Sequence, residues 1–186
     1  MKNLPIYNIV LGDSEGLSAM SLVEYPAVES NFLAFSQQQE MKFSIQEEER
    51  IVFGCALRVD YPIYRVNPML GEYYVVFSKE VVKQLYEKFF KDNLINNVNL
   101  EHDKYTTGVY LIQSMIKDTA KGISPIGFDD CEDGSWFVGY KVTNDEVWEE
   151  IKQGNFKGFS VELFCDLEMN IEKEDEDILE QILKEI

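Results

Sequence analysis

From Ile51 onward the chain alternates short apolar runs with turn-forming residues, the pattern of a β-rich domain. IVFGCALRV at 51–59, EYYVVF at 72–77, GVYLIQSMI at 108–116, SWFVGYKV at 135–142 and KGFSVELF at 157–164 each predict a strand. NNVNLEHD at 96–103 predicts a shorter one, and Ile6 to Leu11 another near the start. Gly12 to Gly16 then make a turn, and the segment SAMSLVEYPAVESNFLAF, centred on Pro26, shows no clean period. Two segments have helical spacing. Ser78 is placed to cap a helix from Lys79 to about Asn93, in which Val82, Leu85 and Phe89 form one stripe. Asn144 caps a shorter helix carrying Val147, Trp148 and Ile151, with Gly154 where its C′ residue belongs.

The run SQQQEMKFSIQEEER at 36–50 is polar and reads as a linker or exposed arm, so the compact part is expected to start after it. Three regions follow: 1–50 with an N-terminal strand, arm and linker, 51–168 as the functional domain, and an acidic tail at 169–186. In that tail Ile178, Leu179, Ile182, Leu183 and Ile186 keep helical spacing, which predicts an amphipathic helix packed on its own domain or on a partner. Six or seven strands with two helices define an α+β class, most simply a small β-rich barrel or half-barrel with helices outside.

Composition narrows the partners. The 186 residues hold 17 Lys plus Arg against 34 Asp plus Glu, a formal charge of -17, and no basic block interrupts the acidity. Such a surface repels phosphate backbones and anionic membranes, so neither nucleic acid nor membrane is expected as a partner. Cys55, Cys131 and Cys165 are an odd number, widely spaced and without a CxxC pattern, which disfavours a disulfide scaffold and a zinc knuckle and fits a reducing cytoplasm. The N-terminal apolar stretch is too short for a secretory signal, and no run reaches the length of a membrane span.

His102 is the one histidine in the chain, which excludes multi-histidine zinc sites and any triad with a second histidine. Acid/base work near neutral pH falls to it or to a carboxylate with a shifted pKa. Period-two alternation puts His102 with Val98 and Leu100, and Asn99, Glu101 and Asp103 on the other side; a packed, satisfied core histidine is the plain alternative to a catalytic one. In KGFSVELF the same alternation makes Ser160 and Glu162 same-face neighbours, opposite Phe159, Val161 and Leu163. A serine loses its proton to an imidazole within hydrogen-bond reach, which strands ending at His102 and centred on Ser160 provide if they are adjacent in a sheet. Otherwise Ser160 is an ordinary strand residue. Asp129, Asp130, Glu132 and Asp133 lack the spacing of a calcium loop and read as a solvated cluster, and Cys165 reads as a buried hydrophobe rather than a nucleophile. No metal and no cofactor is called for.

MSLVEYPAVESNFLAF, YPIYRVN, GEYYVVFS, NVNLEHDKYTTGVYLIQS and GSWFVGYKVTNDEVWEEIKQGNFKGFSVELF, in this order, resemble the tailed-phage prohead (capsid-maturation) proteases of the XkdF-like branch. The last two segments carry the specificity. The resemblance implies an assemblin-like fold and a serine endopeptidase in which His102 is the general base and Ser160 the nucleophile. Assemblins use a second histidine, which is absent here, so the third member implied is Glu162 first and Asp103 second. Assemblins also use an arginine beyond the serine near the oxyanion, whereas Arg50, Arg58 and Arg65 all precede Ser160, so the resemblance implies backbone N–H groups near Ser160 as the oxyanion donors. The implied substrates are scaffold protein, the scaffolding segment of the major capsid protein and the protease itself. The implied place is the bacterial host cytoplasm, inside proheads, with a homodimer as a possible form. A non-enzymatic capsid assembly module with the same fold is the alternative.

Overall fold

The apolar runs fold as strands in a computed structural model, which describes residues 4–12, 15–24, 44–46 and 49–169. In chain order these are β1 (Ile6–Val10), β2 (Gly16–Val23), β3 (Ser44–Gln46), β4 (Ile51–Leu57), β5 (Ile63–Asn67), β6 (Gly71–Val76), α1 (Lys79–Lys91), β7 (Val98–Leu100), β8 (Lys104–Tyr105), β9 (Val109–Ile116), β10 (Trp136–Val142), α2 (Asp145–Lys152), β11 (Gly158–Phe164) and β12 (Asp166–Met169). They form three four-stranded sheets, ordered β12-β1-β6-β5, β3-β4-β10-β9 and β11-β2-β7-β8. The pairs β1–β6 and β2–β7 are parallel and the others antiparallel.

The α+β class holds, while the barrel of six or seven strands is corrected. Twelve strands are present among the described residues, and the three ladders end in separate edges without closing into a barrel. Four of the five unexpected strands, β3, β5, β8 and β12, are outer strands of two to five residues, too short to display a period of their own. The fifth, β2, is buried on both faces, so its sequence GLSAMSLV has no alternation to detect. The compact body therefore does not begin at residue 51. β1 lies between β12 and β6, and β2 lies between β11 and β7. Asp166–Met169 is extended against β1, so only Met169 of the expected tail helix is described, and it lies in a strand; the rest of that helix lies outside the described residues, as does most of the polar arm.

Both helices have the expected caps. Ser78 Oγ accepts from the Val81 N–H at 3.2 Å, and Asn144 Oδ1 from the Val147 N–H at 3.1 Å. Ser78→Ala is expected to cost about 1 kcal/mol, read as a lower urea midpoint at unchanged slope. The stripe of Val82, Leu85 and Phe89 is fully buried. Phe89 meets the Trp136 ring edge-on at 5.1 Å between centroids, and Tyr86 meets it at 5.8 Å. These contacts fasten α1 to β10 in the main core, which Met20, Leu22 and Phe159 from the third sheet share.

A second cluster of Cys55, Cys131 and Phe137, with Phe53 and Phe128 against it, supports the loop before β10. The acidic run in that loop is organised by two buried cations. Arg58 binds Asp130 at 3.1 Å and Glu132 at 3.0 Å and stacks on Tyr61, while Lys117 Nζ donates to the carbonyls of Phe128 at 3.0 Å and Cys131 at 2.6 Å. Asp133 accepts from the Thr119 N–H and hydroxyl. Burial opposes ionisation of Glu132, yet the Arg58 guanidinium, together with a backbone hydrogen bond and the charge of Lys117, holds the carboxyl below its ordinary range. Among the described residues no helix is long and apolar enough to cross a membrane.

Candidate active site

The third sheet has one apolar and one polar face. Phe159, Leu22 and Leu100 are in register across β11, β2 and β7 and turn toward the core. The next row, Ser160, Ser21 and Asn99, lies on the opposite face, because alternation reverses every side chain by one residue. Directly opposed Cβ atoms in such a row are about 4.5–5.5 Å apart. The strands leading to His102 and holding Ser160 are thus not neighbours: β2 runs between them.

His102 comes to this polar face through a break in the strand. β7 ends at Leu100, and Glu101 and His102 both take the left-handed conformation, with φ of 53° and 58°. The turn is held by the Glu101 N–H on the Leu22 carbonyl at 3.0 Å, by Glu101 Oε1 accepting from the Glu24 N–H at 2.5 Å, and by the Asp103 N–H on the Leu100 carbonyl at 3.0 Å. The expected grouping of His102 with Val98 and Leu100 is therefore corrected. Alternation stops where the left-handed pair begins, a conformation in which histidine is enriched, and the imidazole folds back over Ser21.

Its Nδ1 lies 2.9 Å from Ser21 Oγ and 3.5 Å from Glu162 Oε1. Ser21 Oγ is also 2.5 Å from Asn99 Oδ1, and Asn99 Nδ2 donates to Glu162 Oε1 at 2.5 Å. Glu162 Oε2 accepts from Ser18 Oγ at 3.1 Å. Ser18 reaches it because the register with β11 shifts at Glu162, so that Leu17 rather than Ser18 opposes Leu163; such a bulge re-aims a side chain. Ser21 and Asn99 are 0% and 1% exposed, whereas 39% of the His102 side chain is open. Among the described residues His102 Nε2 has no hydrogen-bond partner.

Of the residues singled out from sequence, His102 and Glu162 meet directly. Ser160 stands beside Ser21 in the same row, 5% exposed, and no hydrogen bond joins its hydroxyl to the imidazole. Asp103 is exposed, and among the described residues its carboxylate meets no partner. Cys165 packs against the core, where burial first, and then Glu15 and Asp166, push its thiol up, the reverse of what an activated nucleophile needs. Sequence reasoning missed Ser18, Ser21 and Asn99. For the two serines the signal was a pair of hydroxyls inside an otherwise apolar run, since buried polar groups require partners. An open cleft of about 650 Å³ borders the sheet along β8, lined by Leu100, Lys104, Tyr105, Asn144 and Val147 among others.

Residues 40–168 match the model of the family described as "Putative phage serine protease XkdF". That span exceeds half of the chain, and the chain belongs to this family of phage serine proteases. It contains His102, Ser160 and Glu162 and begins after β2. No curated protein and no solved structure matches the chain.

Proposed function

We propose that the protein is the endopeptidase of phage capsid maturation, with Ser160 as nucleophile and His102 as general base. The observation that carries this reading is the convergence of the lone imidazole, Glu162 and the row containing Ser160 on one polar face of one sheet. Ser160 Oγ attacks the scissile carbonyl, His102 takes its proton and returns it to the leaving amine, and Glu162 stabilises the imidazolium formed in between. Backbone N–H groups near Ser160 receive the oxyanion. The Ser160 hydroxyl and Nε2 come together when a peptide is bound, as catalytic contacts commonly tighten only in the Michaelis complex.

The substrates in this reading are scaffold protein, the scaffolding segment of the major capsid protein and the chain itself, within proheads in the bacterial host, with a homodimer as the working form. It also takes the three sheets as an opened relative of the assemblin barrel. A non-enzymatic capsid assembly module is the competing reading. Expressing the chain and its Ser160→Ala variant, each with and without capsid and scaffold proteins, separates the two by mass spectrometry of fragments. Cleavage present in the native chain and absent in the variant is expected; identical fragment patterns would reject the enzyme.

A further inference from the structure

We infer that Ser21 and Asn99 are positioning residues that hold the neutral His102 imidazole with its proton on Nδ1 and its lone pair on Nε2. The argument counts protons. A carboxylate only accepts, so the Asn99 group 2.5 Å from Glu162 Oε1 is the NH₂, and the amide cannot be reversed without setting two oxygens at that distance. Asn99 Oδ1 therefore faces Ser21. An amide oxygen also only accepts, so the single Ser21 proton lies in the 2.5 Å contact with Asn99. Were that proton turned toward His102 instead, two oxygens would face each other at 2.5 Å with nothing between them. The Ser21 oxygen, its proton spent, can only accept across the 2.9 Å contact to Nδ1, so Nδ1 bears the hydrogen.

Every donor in the chain His102, Ser21, Asn99 points toward Glu162. The two middle groups are sealed from solvent, so no water competes for these bonds and the aligned dipoles reinforce one another. In a serine protease triad a carboxylate accepts directly from the base and fixes its tautomer. Here a serine oxygen backed by an amide takes that place, with the carboxylate one contact further on and 3.5 Å from Nδ1. The lone pair is left on Nε2, the nitrogen without a partner on the half-open side of the ring. The use of that lone pair as a base rests on the endopeptidase reading; the tautomer itself does not.

With a single histidine, ¹⁵N-histidine labelling gives one imidazole spectrum free of overlap. In the neutral form of the native protein Nδ1 is expected at the shift of a protonated nitrogen and Nε2 at that of a bare one. Ser21→Ala should move the proton to Nε2, the form that histidine favours in water. Asn99→Leu should do so as well, because the freed Ser21 hydroxyl can then donate to Nδ1; a residue serving only as packing would leave the tautomer in place. Cleavage, if present, should fall at least about a hundredfold in both variants, as when a triad base is left in the wrong tautomer. A bare Nδ1 in the native protein, which needs no variant to fold, overturns the inference. So does retention of Nδ1–H in both variants. Nδ1–H in a protein that cleaves nothing upholds the relay and rejects the endopeptidase, while Nε2–H in a protein that cleaves does the reverse.

Discussion

His102→Ala should lower the rate of cleavage by about 10⁴-fold or more, the loss found when a member of a serine-nucleophile unit is removed. No other imidazole exists to take over the proton. A hydroxyl in water is a very weak nucleophile at neutral pH, so attack depends on a base in place. The side chain is 39% open and sits in a turn whose backbone contacts come from Glu101 and Asp103, so the melting temperature should change little. Turnover kinetics and calorimetry on the same preparation check both halves. A rate within tenfold of the native protein would move the proton acceptor elsewhere, with Glu162 the first place to look.

The largest stability loss is expected at Trp136. Its ring is fully buried against Phe89 and Tyr86, and its Nε1 donates to Ser114 Oγ at 2.8 Å. Trp136 lies on a central strand that pairs with β4 on one side and β9 on the other, so neighbours held by two ladders cannot collapse into the space. Truncation to Ala removes transfer energy, leaves a cavity and takes a donor from the half-buried Ser114 hydroxyl, together about 3–5 kcal/mol. Against a typical total of roughly 5–15 kcal/mol this brings the protein near unfolding at ambient temperature. Urea titration measures it, and a loss below about 1 kcal/mol would mean that α1 is not anchored through this ring.

How legible each part was follows from how local its cause is. The caps at Ser78 and Asn144 act within three residues, and the stripe of Val82, Leu85 and Phe89 repeats within one helix, so both helices were readable. The alternation in β11 likewise set Ser160 and Glu162 on one face with Phe159 inward, as found. β2 was not readable, since a strand buried on both faces and paired with partners far along the chain leaves no periodic trace. The face of His102 was misjudged for a related reason. Two left-handed residues reverse the phase, and what holds them is Leu22 and Glu24, nearly eighty positions away in sequence.

The position of β2 has a consequence for when the protein can act. β2 is synthesised well before its neighbour β11, with Ser18 and Glu162 separated by 144 positions. β1 and β12 repeat the arrangement, joining Tyr7 to Met169. Pairings between distant segments form late and slowly, because the intervening loop must close before they return any energy. A growing polypeptide therefore carries its histidine without the partners of the finished sheet, and the site cannot assemble until β11 has been made. On the endopeptidase reading, such a delay would spare the nascent chain from self-cleavage without any separate inhibitor.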